Sequence, residues 1–238
     1  MMNSGRELDR RQEIEANLAA LQHRIDNACA TAGRDPADVT LIVVTKTRPA
    51  SDVALVADLG ITDVGENREP EGSRKQAECE NLPLTWHFIG QLQRNKAGKV
   101  ARYADVVQSL DRSELIAALS AAADRAERDI QGLVQVDLTD GATGRGGATP
   151  QDALSLCEEI AAARRIKLAG LMAVAPLDEN PDTAFARLRE LHERVLKDFP
   201  EAKMLSAGMS GDLEMAVLAG ATHVRIGSAV LGERHHVK

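Results

Sequence analysis

Lys46 closes the apolar run Leu-Ile-Val-Val-Thr-Lys, and a lysine in that place is open to two readings. Its stem can lie along apolar surface while the ammonium reaches water. If the surroundings are partly desolvated, the neutral amine becomes accessible and can attack an aldehyde. A neighbouring cation such as Arg225 would push in that second direction. Two later segments, Ser206-Ala207-Gly208-Met209-Ser210-Gly211 and Arg225-Ile226-Gly227-Ser228-Ala229, each run from a strand into a helix. Glycines let a backbone approach an anion, helix N-terminal amides point at it, and serine hydroxyls add donors. The plainer reading is that Gly and Ser only turn the chain. Two such loops facing one strand-end lysine point to a carbonyl compound that carries a phosphate.

The elements that must position these residues follow a simple rhythm. The first segment, about 7–32, places Ile14, Leu18, Leu21, Ile25 and Ala28 at steps of four and three, one face of an amphipathic helix. Gly33 should end it. Strands are expected at 41–46, 63–66, 85–89, 105–109, 132–138, 168–174, 203–206 and 223–226, each followed by a helical stretch. Helix starts are signalled by Asp111 with Glu114, by Thr149 before Pro150 and by Asn180 before Pro181. Leu115, Leu119, Ala122 and Ala126 mark one buried helix face, and Phe185, Leu188, Leu191 and Val195 another.

Strands alternating with helices form an open doubly wound sheet or a closed barrel. Eight is the closing number, so the expected fold is α/β, a single (β/α)8 TIM barrel over residues 1–238. Residues 1–36 supply an extra N-terminal helix packing on it.

In such a barrel the ligand face lies at the carboxyl ends of the strands. The polar residues there are Lys46, Glu66 and Asn67, His87, Ser109, Asp137, Met172 with its thioether, Ser206 to Ser210, and Arg225 to Ser228. Asn67 could bond a ring hydroxyl or merely cap the next helix. His87 reads as a packing histidine. The stretch 139–149 carries four glycines among eleven residues and is either a lid or a plain surface loop.

Composition narrows the function classes. With 44% hydrophobic and 27% charged residues the chain resembles a soluble globular protein, expected in the cytoplasm. Aromatics are only 2%, the net charge is −7 and no basic run exceeds a pair, so neither base stacking nor nucleic-acid binding is expected. Three scattered cysteines and isolated histidines give no metal or disulfide framework. No signal peptide or membrane span is apparent.

Taken together, Val44-Thr45-Lys46-Thr47-Arg48-Pro49, Gly65-Glu66-Asn67, the run Trp86 to Lys96 (WHFIGQLQRNK), Gly170-Leu171-Met172, Leu205 to Asp212 (LSAGMSGD) and Val224-Arg225-Ile226-Gly227-Ser228 resemble the pyridoxal phosphate homeostasis proteins, the YggS or PROSC family. The resemblance implies a barrel of the alanine racemase N-terminal-domain type, with pyridoxal 5′-phosphate as cofactor held as a Schiff base on Lys46. It implies phosphate binding near Ser206, Ser210, Gly227 and Ser228, Arg225 close to the ring nitrogen, and Asn67, Met172 and Met209 among the contacts. Arg68, Pro70 and Arg145 depart from the family pattern, which affects the mouth more than the cofactor contacts.

The implied role is a carrier in cofactor homeostasis without established turnover, acting as a monomer or weak dimer, with apo-enzymes as acceptors. An arginine at the ring nitrogen disfavours the protonated ring that carbanion chemistry exploits. A racemase-like enzyme using the same cofactor and a Schiff-base aldolase on a sugar phosphate stand as the alternatives.

Overall fold

The computed structural model describes residues 2–139 and 146–233. It opens with helix α1 (Met2–Ala32), which ends at Gly33 in the left-handed region, φ +65°. Strands and helices then alternate: β1 (Thr40–Val44), α2 (Ala50–Asp58), β2 (Asp63–Glu66), α3 (Glu71–Glu78), β3 (Thr85–Phe88), α4 (Ala97–Val100) and β4 (Val106–Leu110). The second half continues with α5 (Ser113–Ala126), β5 (Ile130–Val136), α6 (Pro150–Ala162), β6 (Ile166–Ala173) and α7 (Pro181–Asp198). It finishes with β7 (Met204–Ser206), α8 (Leu213–Leu218), β8 (His223–Ile226) and α9 (Ser228–Leu231).

The eight strands are parallel and pair in sequence order, and β8 pairs back onto β1 with Ile42 opposite Arg225. The expected barrel is therefore closed. Helices cover its outside, which is why the strands read as short apolar runs with little alternation. Val43, Val64, Phe88, Val107, Leu171 and Ile226 face those helices within one continuous core. Fully burying a side chain of this size contributes about 1.5–3 kcal/mol. A second, smaller cluster of Val106, Leu133, Ala169 and Met172 packs apart from that core.

α1 buries Ile14, Leu21, Ile25 and Ala28, with Leu18 partly covered. It packs mainly on α8 and α9, so the first helix lies against the last two. The apolar stripe of α7 is buried as its spacing predicts, and in α5 Leu115, Leu119 and Ala122 are buried while Ala126 is only half-buried.

Two of the three expected caps form. Thr149 Oγ1 accepts from the Asp152 amide at 3.2 Å and Asn180 Oδ1 from the Asp182 amide at 3.0 Å, each ahead of a proline. Asp111 does not cap α5. Its carboxylate pairs with the guanidinium of Arg112, the helix starts one residue later than a cap at Asp111 requires, and no side chain bonds its first amides.

Of the glycine-rich stretch, residues 140–145 lie outside those described, so a lid there has no structural account. Its returning limb is fixed: Ala148 bridges Val136, and Gly147 has φ +143°. A Cβ on Gly147 would come within 2.6 Å of the Asp137 nitrogen. Among the described residues, no helix is long and apolar enough to cross a membrane, and no three His, Cys, Asp or Glu side chains gather as metal ligands.

Candidate functional site

A cleft of about 400 Å³ opens at the carboxyl ends of the strands. Lys46, Asn67, Met209, Ser210, Arg225, Gly227 and Ser228 all line it. The barrel thus brings together seven of the nine residues expected from sequence. Met172 and Ser206 lie beneath it, 2% and 0% exposed.

The lysine side is built by β1, β2 and α3. Lys46 follows the last residue of β1 by two positions, on a turn where Thr45 donates its amide to the Gly65 carbonyl at 3.0 Å. Thr47 then takes φ +65°, a left-handed conformation that a β-branched residue rarely adopts. Behind this turn sits a buried ionic group. Lys75 Nζ donates to Glu66 Oε1 at 2.5 Å, to the Thr45 carbonyl at 2.7 Å and to Glu71 Oε1 at 3.0 Å. Glu66 also accepts from the Thr45 hydroxyl at 2.6 Å, and Glu71 accepts from the Thr47 amide. Burial pushes the Glu66 carboxyl above the usual carboxylate range, against the pull of Lys75 and Thr45. Its second oxygen, Oε2, is buried without a partner.

The arginine side is built differently. Arg225 is buried, and no carboxylate lies within ion-pair distance of it among the described residues. It donates to Ser206 Oγ at 2.8 Å and to the Ala173 carbonyl at 2.9 Å. Burial lowers its pKa to about 10, which leaves it a cation at neutral pH. Ser206 in turn donates to Gln108 Oε1 at 2.8 Å. The Gln108 amide nitrogen then faces His87 Nδ1 at 3.0 Å, which places the ring proton on Nε2, 2.8 Å from Asp63 Oδ1. Each donor in this relay points the same way, from Arg225 across the barrel to a carboxylate. Burial alone would raise Asp63, but the hydrogen bonds from His87 and Thr62 hold it below the usual range. His223, half-buried beside His87, is pushed down to about 4, chiefly by burial, with the Arg225 charge acting in the same direction. His87 is thus the packing histidine its sequence context suggests, and Ser206 supports Arg225 from below.

The two serine loops meet across the remaining wall, with Ser210 Oγ and Ser228 Oγ 3.4 Å apart. α1 and the β1–α2 turn grip their backbones from outside. Arg24 donates to the Ser210 carbonyl at 3.0 Å and pairs with Glu214 at 2.6 Å. Asn17 and Arg10 reach the Val230 and Leu231 carbonyls, and Arg48 reaches that of Gly232. On the opposite wall a Cβ on Gly90 would lie 2.1 Å from the Asn67 carbonyl oxygen, so glycine alone permits that approach. Asn67 Oδ1 is buried there without a partner.

Sequence reasoning did not single out Glu71, Lys75, Gln108 or Arg24. A signal existed for Gln108: an amide in the middle of Val-Val-Gln-Ser-Leu interrupts an apolar strand. Glu71 and Lys75 lie in a short polar helix, Glu-Gly-Ser-Arg-Lys-Gln-Ala-Glu, with nothing to distinguish them from a solvated face.

Comparison with known proteins places these features. The sequence profile of the alanine racemase N-terminal domain matches residues 16–235. A pyridoxal phosphate homeostasis protein of Mycobacterium tuberculosis is 43% identical over 246 aligned residues, covering 95% of each chain. One from Pseudomonas aeruginosa is 40% identical over 226, covering 94% of this chain and 96% of that one. The solved structure of PipY from Synechococcus elongatus with PLP bound superposes with a TM-score of 0.79 at 32% identity, covering 92% of this chain and 100% of that one.

Proposed function

The chain belongs to the family of pyridoxal phosphate homeostasis proteins, and from that premise we propose that it holds pyridoxal 5′-phosphate on Lys46 and hands it to other proteins. The observation that carries this reading is a single cleft lined by Lys46, Arg225 and both serine loops. The donor set suits the group. The Ser210 and Ser228 hydroxyls converge as a phosphate needs, and the unpartnered Asn67 oxygen offers an acceptor for a ring hydroxyl. When bound, the cofactor supplies an aldehyde that condenses reversibly with a primary amine, with loss of water.

The residues divide the work. Lys46 supplies the amine, and the half-buried position of its side chain limits its hydration. Ser210, Ser228 and the Gly227 backbone would hold the phosphate, with Met209 beside them and Asn67 opposite. Arg225 remains cationic at neutral pH and so would disfavour a proton on a ring nitrogen held against it. Met172 and Ser206 act from below, as packing and as a support for Arg225.

A carrier fits this site better than a racemase. A racemase tolerates an arginine at the ring nitrogen but needs a positioned base on each face, and among the described lining residues Lys46 stands as the one candidate. A sugar-phosphate aldolase is disfavoured by the similarity to a PLP-bound relative. The same reading makes apo-enzymes that need the cofactor the acceptors, the cytoplasm the compartment, and a monomer or weak dimer the working form. The three cysteines, all buried and unpaired, suit a reducing compartment.

The purified protein should be yellow, and Lys46→Ala should lose the visible absorbance and the borohydride-trapped adduct at that position. Unchanged absorbance in the variant would sink the proposal. Adding an apo-enzyme should then bleach the wild-type spectrum as the acceptor gains activity.

A further inference from the structure

We propose that Glu71 is a positioning residue, which holds the left-handed turn at Thr47 and thereby presents Lys46 to the cleft. The inference rests on the reading of Lys46 as the tether and extends it to how the amine is aimed.

The turn needs an external restraint. Thr47 has φ +65°, and its β-branched side chain makes that conformation unfavourable. The side chain is exposed, so no packing of its own secures it. What does secure the turn is its backbone. On one side of Lys46, the Thr45 amide donates to the Gly65 carbonyl, and the Thr45 carbonyl accepts from Lys75 and from the Arg48 amide. On the other side, the Thr47 amide donates to Glu71. Released from Glu71, Thr47 could relax toward negative φ, and the side chain one residue earlier would swing with it.

Glu71 is itself fixed. Lys75, one helical turn later in α3, bonds it at 3.0 Å and also bonds Glu66, which is fully buried. The group therefore links α3 to both flanks of Lys46. The competing account makes Glu71 only an acid in the first turn of α3, where it complements the helix dipole. That account assigns no importance to the residue at position 47.

The difference is testable with Glu71→Ala, Thr47→Gly and the double variant. Glycine adopts positive φ without penalty, so it removes the need for the restraint. Affinities for pyridoxal 5′-phosphate and for inorganic phosphate are measured for each, with the thermal midpoint. Glu71→Ala should weaken cofactor binding by about 10-fold or more, the equivalent of releasing one strained residue, and leave inorganic phosphate within about twofold. The double variant should bind the cofactor within about threefold of Thr47→Gly alone, a departure from additivity that only a shared backbone restraint produces. An equal loss in the presence and absence of Thr47→Gly, or a parallel loss of inorganic phosphate, overturns the proposal. If Glu71→Ala fails to fold, Glu71→Gln keeps an acceptor oxygen but removes the charge that strengthens its bonds to both Lys75 and the Thr47 amide. It should show a smaller loss, again suppressed by glycine. A Lys46→Ala control that binds the cofactor as tightly as wild type overturns the tether reading itself, an outcome distinct from failed glycine suppression.

Discussion

Behind Lys46 the barrel wall carries charge, whereas behind Arg225 it carries a relay of hydroxyl, amide and imidazole. Both arrangements support a basic side chain at the cleft, and they do so under opposite constraints. The Glu66–Lys75–Glu71 group must compensate one buried ammonium with two carboxylates, so each member depends on the others. The Arg225 relay spreads its demand over Ser206, Gln108 and His87 before it reaches Asp63. A buried ion pair gives little net stability but costs much when halved. A chain of hydrogen bonds loses one desolvated group at a time. The Lys46 side should therefore fail abruptly and the Arg225 side by degrees.

Lys75→Met tests the first half of that contrast and should have the largest effect. It removes the cation that Glu66 and Glu71 share, so that Glu66 must take up a proton to stay buried, and stability should fall by about 3–5 kcal/mol in denaturant titration. A loss under 1 kcal/mol would remove the distinction between the two sides. Gln108→Leu cuts the relay in the middle and strands Ser206 and His87. The expected cost is about 2–4 kcal/mol, with Lys46 still competent to form its tether, read from the absorbance spectrum.

Acid should act on the relay side. His223 has a folded pKa of about 4, below its usual value, so between those two values the unfolded chain binds the extra proton. Stability is then complete above roughly pH 6.5 and declines by about 1.4 kcal/mol per unit as pH falls toward 4. His223→Gln should flatten that slope in a pH series of thermal midpoints. The smallest effect is expected from Arg24→Ala, which frees the Ser210 carbonyl from α1. Affinity for pyridoxal 5′-phosphate should drop about three- to tenfold, while pyridoxal, which lacks the phosphate, binds as before.

These supports mark the boundary of what the sequence made legible. Periodicity revealed α1, α5 and α7 because an apolar face buried on a core repeats along the chain itself. Strand count and the order of the serine loops revealed the barrel and the cleft, since closure and the ligand face follow from topology. Ser206 opens the Ser206–Gly211 loop, so the linear reading groups it with the phosphate-binding serines. The pleat turns it inward, where Gln108, 98 residues away in sequence, claims its hydroxyl. Asp111 matched a cap pattern, but the adjacent guanidinium of Arg112 captured the carboxylate first. Glu71 acquires meaning only from the φ of Thr47, a torsion that no local residue pattern announces. Contacts across the barrel, and strain at one residue, are the information that a linear reading lacks.

The grip of α1 on α8 and α9 has a consequence for how the protein is made. A ribosome releases the first helix and Lys46 early, and Arg225 with Ser228 only near the end of synthesis. Until then Arg10, Asn17 and Arg24 have none of the late carbonyls they bond. The nascent chain would thus display Lys46 well before it has Arg225 or the second serine loop, and the last strand to emerge, β8, both closes the ring and completes the cleft.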